Sequence, residues 1–246
     1  GCVRPIRKHQ TTDFTTTQYR DYRTFTVGKA QLKLNPEANC SIPGCVVYEM
    51  STDAQDRIWL ATDHGIAVID DNAQLLKHMT TEDGLPGNEV LCMTWQDDGT
   101  LWVGTDRGCA SYNQETWTVI EQCPQGIIPC VSTDTQGNVY IGTYRHGLYV
   151  YNGEDVERYH AYNSRLPHDM VTALTCDAQD RVWVGTGHGL WCMNTEGKVY
   201  TRENSGLLSS SIADLATDGH SLWIATNAGI ARYKLACEPV MACAKN

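Results

Sequence analysis

Five copies of one four-residue phrase constrain this chain more than any other feature. Trp59-Leu60-Ala61-Thr62, Trp102-Val103-Gly104-Thr105, Tyr140-Ile141-Gly142-Thr143, Trp183-Val184-Gly185-Thr186 and Trp223-Ile224-Ala225-Thr226 each read aromatic, aliphatic, small, Thr. Their threonines follow one another at intervals of 43, 38, 43 and 40 residues. A period of about 40 residues is the length of one four-stranded propeller blade.

Within a repeat, turn residues separate four short strand-like runs. In the second they are 90–96, 100–106, 108–113 and 116–121, which places the phrase on the second strand. A turn rich in Asp, Gly and Gln precedes each phrase, as in Asp53-Ala54-Gln55-Asp56 and Asp177-Ala178-Gln179-Asp180. Both faces of a blade pack on neighbouring blades. The strands should therefore be apolar on both sides, with a small residue where sheets approach closely. Aligned on the turn aspartates, the first strands share a core column of Val47, Leu91, Ile128, Val171 and Ile212.

The ring must also close. Ala30-Gln31-Leu32 and Ile42-Pro43-Gly44 echo Ala73-Gln74-Leu75 and Leu85-Pro86-Gly87 with the same spacing, so 30–35 reads as an outer strand whose blade lies elsewhere. The fifth repeat reaches its third strand near Lys234 with a short tail after it. The expectation is an all-β fold, a five-bladed β-propeller of four-stranded antiparallel blades. An N-terminal strand seals the ring on the last blade. Residues 18–246 form this single domain and 1–17 a flexible tether.

Charge and cysteines bound the setting. A formal net charge of −10 argues against nucleic-acid or anionic-membrane surfaces, which reward clustered Lys and Arg. No apolar run approaches the roughly 18 residues that span a bilayer. Among the 11 cysteines, Cys92, Cys130 and Cys176 fall inside strands, where a thiol behaves as a small hydrophobe. Three pairs are close enough in sequence for a short disulfide: Cys40 with Cys45, Cys123 with Cys130, and Cys237 with Cys243. Gly1-Cys2 resembles the end of a bacterial lipobox, in which the Cys carries the lipid; a cloning remnant before an ordinary Cys is the alternative.

The string DAQDRVWVGTGHGL at Asp177–Leu190, its sisters DAQDRIWLATDHGI and DDGTLWVGTDRGC, and the linkers DGLPGNEV and SRLPHDMV closely resemble the two-component regulator propeller repeat. The resemblance covers 30–234. It implies the kind of propeller found in periplasmic sensor regions of hybrid histidine kinases of Bacteroidetes, which detect carbohydrate breakdown products. By that resemblance the chain is expected to be an extracytoplasmic binding or scaffold protein, periplasmic or outer-membrane, and the lipobox reading of Gly1-Cys2 would make it lipid-anchored. It departs from the sensors in having five repeats and no kinase or receiver segment.

In a propeller the turns between second and third strands emerge on one face, beside the channel mouth. Here those turns hold His64, Arg107, Arg145 with His146, and His188. Arg offers a bidentate fork and His a donor or acceptor, which suits an anionic or hydroxyl-rich ligand. Ordinary turn chemistry beside Gly is the plainer reading. The third blade has one extra residue at this turn, so Arg145 and His146 are expected to project. A second column, four residues before each turn Asp, reads Glu49, Met93, Cys130, Ala173 and Asp214. Glu49 and Asp214, with Glu89 and Asp169 as weaker candidates, would serve an alternative function as a small glycoside hydrolase or lyase. The plainer reading is polar groups lining a wet channel. There is no Cys-x-x-Cys zinc spacing, no His-Glu-x-x-His and no Gly-x-Ser-x-Gly elbow, and no metal or cofactor is expected.

Overall fold

A computed structural model describes the side chains of residues 42–44, 46–193 and 197–235, and the backbone strands Gln18–Tyr19, Tyr22–Val27 and Ala30–Leu34. Cys2, the 1–17 tether, and the Cys40–Cys45 and Cys237–Cys243 pairs lie outside the described residues.

The repeats fold into consecutive antiparallel sheets, each running from an inner strand outwards. Blade one comprises Val47–Thr52, Ile58–Thr62, Gly65–Ile69 and Leu75–Met79. Blade two comprises Val90–Trp95, Leu101–Thr105, Cys109–Asn113 and Thr116–Val119. Cys130–Thr133, Val139–Gly142, Leu148–Tyr151 and Val156–Tyr159 form blade three. Val171–Cys176, Val182–Thr186, Gly189–Cys192 and Lys198–Tyr200 form blade four. Blade five has three strands among the described residues, Ile212–Thr217, Ser221–Thr226 and Gly229–Lys234. Residues from all five inner strands line one narrow axial channel of about 40 Å³.

The turn before each phrase explains the aromatic residue that opens it. In blade four the buried Asp177 carboxylate accepts from the Gln179 and Arg181 backbone N–H groups, from Arg181 Nε at 2.7 Å and from Trp183 Nε1 at 2.9 Å. Asp53 repeats this with Arg57 and Trp59, Asp134 takes the Tyr140 hydroxyl, and Asp218 takes Trp223 Nε1. In blade two Gln96 Oε1 accepts from Trp102 Nε1 at 2.8 Å. In blades one, three, four and five one carboxylate thus both folds the turn and satisfies the polar edge of the ring, whereas in blade two Asp98 holds the turn and Gln96 the indole.

Each blade interface follows one rule. Gly104 packs so closely that a Cβ there would stand 2.5 Å from the Ile128 carbonyl oxygen, and one on Gly185 would stand 2.6 Å from Ile212 Cγ2. Trp59 and Ala61 share a cluster with Val90, Leu101 and Val103 of blade two. Trp102 does the same with Ile128, Val139 and Ile141, and Trp183 with Ile212, Leu222 and Ile224. At the far side of blade five the rule stops: Trp223 is 40% exposed, whereas its counterparts in the other blades are at most 5% exposed. The near face of blade one is buried around Ile58, Leu60, Ala67 and Ile69, and no described residue of blade five belongs to that cluster.

Three sequence expectations change. The inner strands of blades one, two, four and five carry a β-bulge, with register shifts between Val47 and Glu49, Val90 and Cys92, Val171 and Ala173, and Ile212 and Asp214. Because Gln96 takes the turn position that Asp53 and Asp177 hold in their blades, the core column in blade two is Val90 rather than Leu91. The carboxylate column likewise passes through Cys92 rather than Met93. Cys123 and Cys130 are both free and buried, in clusters on opposite sides of blade three, so they do not form the short disulfide. Finally, Ala30–Leu34 pairs with Tyr22–Val27, which in turn pairs with Gln18–Tyr19, in a separate three-stranded sheet. A hairpin partner adjacent in sequence closes a far smaller loop than a strand at the other end of the chain.

Candidate functional site

The phrase threonine builds the face on which the candidate ligand residues stand. Thr62 Oγ1 donates to the Gly65 carbonyl and accepts the His64 N–H. Thr105 does the same with Gly108 and Arg107, Thr143 with Gly147 and His146, Thr186 with Gly189 and His188, and Thr226 with Gly229 and Ala228. Four of the turns therefore share one spacing, and the third, one residue longer, closes with the same pair of bonds. At the position fixed by the hydroxyl stand His64, Arg107, His146, His188 and Ala228. Gly65, Gly108, Gly147, Gly189 and Gly229 close these turns with φ between 83° and 153°, a region that L side chains rarely adopt.

Outer strands brace two of the turns. His78 Nε2 lies 2.8 Å from the His64 carbonyl oxygen, and Arg158 Nε donates to the His146 carbonyl at 2.9 Å. The side chains themselves project: His64 is 64% and Arg107 75% exposed, each beside the preceding aspartate, at 3.1 Å from Asp63 and 3.5 Å from Asp106. In the longer third turn Arg145 and His146 are exposed, and the Arg145 guanidinium lies over the Tyr144 ring at 5.9 Å.

Sequence reasoning missed His168. It stands in the Leu-Pro linker leading into blade four, and its ring lies against that of His188 with centroids 4.4 Å apart and planes inclined by 32°. His168 Nδ1 accepts the Met170 N–H at 3.0 Å, which leaves Nε2 to carry the proton of the neutral ring. The linker lies outside the turn column, so periodicity gave no signal for it.

The four carboxylates of the alternative reading belong to four different blades or their linkers. Glu49 lines the axial channel, and its Oε2 accepts the Met93 N–H of the next blade at 2.9 Å. Asp214 occupies the corresponding bulge position in blade five, opposite Ala225, with Oδ1 accepting the Leu215 N–H. Glu89 accepts the Tyr48 hydroxyl, and Asp169 the Ala161 N–H at 2.8 Å. Among the described residues no group of three or more His, Cys, Asp or Glu is arranged to hold a metal ion.

Residues 84–107 and 165–188 match the two component regulator propeller family. The fold of the chain is similar to the extracellular domain of a hybrid two component system from B. thetaiotaomicron, with a TM-score of 0.70 and 23% identity over 90% of this chain and 33% of that one. It also resembles virginiamycin B lyase from Staphylococcus aureus, with a TM-score of 0.61 and 11% identity over 89% of this chain and 78% of that one. A third similar structure is PorZ, a surface component of the type-IX secretion system of Porphyromonas gingivalis, with a TM-score of 0.61 and 18% identity over 90% of this chain and 38% of that one. At these identities the likeness is one of fold. The chain spans about a third of the length of the first of these structures. None of the curated proteins compared with the chain matches it. Among the described residues no helix is long and apolar enough to cross a membrane.

Proposed function

We propose that the chain is an extracytoplasmic propeller that binds a ligand or protein partner on the face carrying His64, Arg107, Arg145, His146 and His188, in a sensor-like or scaffold role. The observation that supports this reading is the repeated threonine-held turn. It offers exposed His and Arg side chains from four blades on a backbone whose geometry is already fixed, which lowers the ordering cost of binding. Such a face complements an anionic or hydroxyl-rich molecule, with carbohydrate fragments the first class to try. Residues 18–246 act as one body and 1–17 as its tether. Cys2 is the lipid attachment site that holds the protein at a periplasmic or outer-membrane surface.

The binding half is tested by a glycan array probed with the chain and with a variant carrying Arg145→Ala, His146→Ala and His188→Ala. The reading requires a bound class whose signal the variant loses; equal binding by both proteins overturns it. For the anchor, mass spectrometry of the membrane fraction should find lipid on Cys2 and none in Cys2→Ala.

A further inference from the structure

The linker into blade four runs between two of the threonine-held turns. Its Asp169 carbonyl accepts the Gly147 N–H at 3.0 Å, its Met170 carbonyl accepts the Gly187 N–H at 3.4 Å, and the Val171 N–H donates to the Thr143 carbonyl at 3.0 Å. These bonds tie one short segment to the turn that carries Arg145 and His146 and to the turn that carries His188. The half-buried His168 stands on that segment, with its ring against His188.

The junction of blades one and two shows what has changed. There the linker position of His168 is Gly87 and the turn position of Gly187 is Asp106, nineteen residues further on in each case. A Cβ on Gly87 would stand 2.1 Å from Asp106 Oδ1, so the aspartate leaves no room for a side chain on the linker. Gly44 and Asp63 repeat the relation at 2.6 Å. Blade four reverses it: the glycine is on the turn and the histidine on the linker. In blade three Tyr144 takes the place of the aspartate, its N–H bonded to the Ile127 carbonyl as that of Asp106 is to Glu89.

This exchange removes negative charge. Asp63 and Asp106 lie beside His64 and Arg107 and supply their turns with a carboxylate. Among the described residues Arg145, His146, His168 and His188 form no ion pair. The linker's own carboxylate, Asp169, accepts the Ala161 N–H, just as Asn88 Oδ1 accepts the Thr81 N–H one junction earlier. A second guanidinium, that of Arg158, braces the His146 turn. The cationic groups of this junction therefore stand without countercharge on a chain whose net charge is −10.

We propose that the junction of blades three and four is an oxyanion site, in which Arg145, His146, His168 and His188 hold a carboxylate or sulfate group of the ligand. The inference rests on the recognition face proposed above and narrows it to one sector and to an anionic ligand. A guanidinium supplies a fork of donors and each imidazole a further one, and an oxyanion accepts from both. His168 Nε2 is already set as a donor by the bond at Nδ1. A neutral hydroxyl gives a guanidinium no countercharge, so the site discriminates by charge. The turns of blades one and two carry their own carboxylates, which compete with such a ligand.

NMR titration of the full chain with glucuronate, sulfate and glucose tests the assignment. At least one of the two oxyanions should shift the imidazole signals of His168 and His188, and glucose should leave them in place. A shift with glucuronate alone makes the site one for carboxylates, and a shift with sulfate alone one for sulfate esters. His168→Gly, which restores the residue that blades one and two carry, should weaken binding of that oxyanion at least about tenfold at an unchanged melting temperature. Imidazole signals that neither oxyanion moves overturn the proposal, as do equal shifts with glucose or equal affinity in His168→Gly. The broader reading fails separately. If the array glycans that lose their signal in the Arg145, His146 and His188 variant are neutral, the recognition face stands and its anionic class falls.

Discussion

The Thr143 hydroxyl accepts the His146 N–H at 2.8 Å and donates to the Gly147 carbonyl at 2.8 Å, so a residue of the blade core sets the position of a residue on the candidate binding face. The same pair of bonds recurs in every blade. Thr186→Val keeps the shape and removes both bonds at the His188 turn. The His188 N–H then loses its acceptor and the buried Gly189 carbonyl its hydroxyl donor, which should destabilise the protein by about 1–3 kcal/mol. Urea unfolding gives the stability change, and weaker ligand binding with His188 still present would show that the threonine positions it.

Asp177 gathers four donors with its side chain fully buried, two of them from Arg181 and one from Trp183. Asp177→Ala leaves a guanidinium and an indole N–H without their acceptor and should cost about 3–5 kcal/mol. The equivalent change at Asp53, whose partner Arg57 is 46% exposed, should cost visibly less in the same urea titration.

Gly104→Ala should destabilise by about 1–3 kcal/mol, because the added methyl meets the Ile128 carbonyl and Cys92 Sγ, at 2.5 and 2.6 Å. Ala61→Gly, at the equivalent place in blade one, removes a methyl that the interface already accommodates and should cost about 1 kcal/mol. Thermal melts of the two variants distinguish overpacking from cavity formation.

Acid below about pH 4 should weaken the turn of blade five. The Trp223 indole N–H, with the His220 and Ser221 backbone N–H groups, holds the Asp218 carboxyl at about 2, below its ordinary 3.8. A lowered folded value means that the contribution is complete above the unfolded value and is lost as pH falls through the folded one. The stability difference between the wild type and Asp218→Asn should be full near about pH 5, shrink below about pH 4 and vanish near about pH 2. A difference that is flat across that window would contradict it.

Burial pushes the Cys123 and Cys176 thiols up to about 12 and that of Cys109 well above its ordinary value. A raised folded value favours the neutral thiol, so its contribution to stability is complete below the ordinary value of 9.0 and is lost as pH rises towards about 12. Iodoacetamide at neutral pH should leave all three unmodified in the native protein and alkylate them in urea, as peptide mass spectrometry would show.

The architecture was readable because each blade repeats one solution to one packing problem, so Trp102, Gly104 and Thr105 announce their places in the sheet by period alone. Chemistry that leaves the period was harder to see. Gln96 serves as the indole acceptor that Asp53 and Asp177 supply elsewhere, and aligning on aspartates therefore displaced blade two by one residue. The bulge that turns Glu49 towards Met93 of the next blade leaves no mark in a single sequence. His168 meets His188 only because a linker folds over the turn of blade four. The pairing of Ala30–Leu34 depended on a competitor, Tyr22–Val27, which the repeat pattern did not contain.

Direct binding decides the central claim that the threonine-held turns form a recognition face. Titration calorimetry of the strongest array-identified glycan, run with the chain and with the Arg145→Ala, His146→Ala, His188→Ala variant, should show affinity falling at least about tenfold, or about 1.4 kcal/mol, at an unchanged melting temperature. Equal affinity for the two proteins would place recognition elsewhere on the molecule and contradict the account.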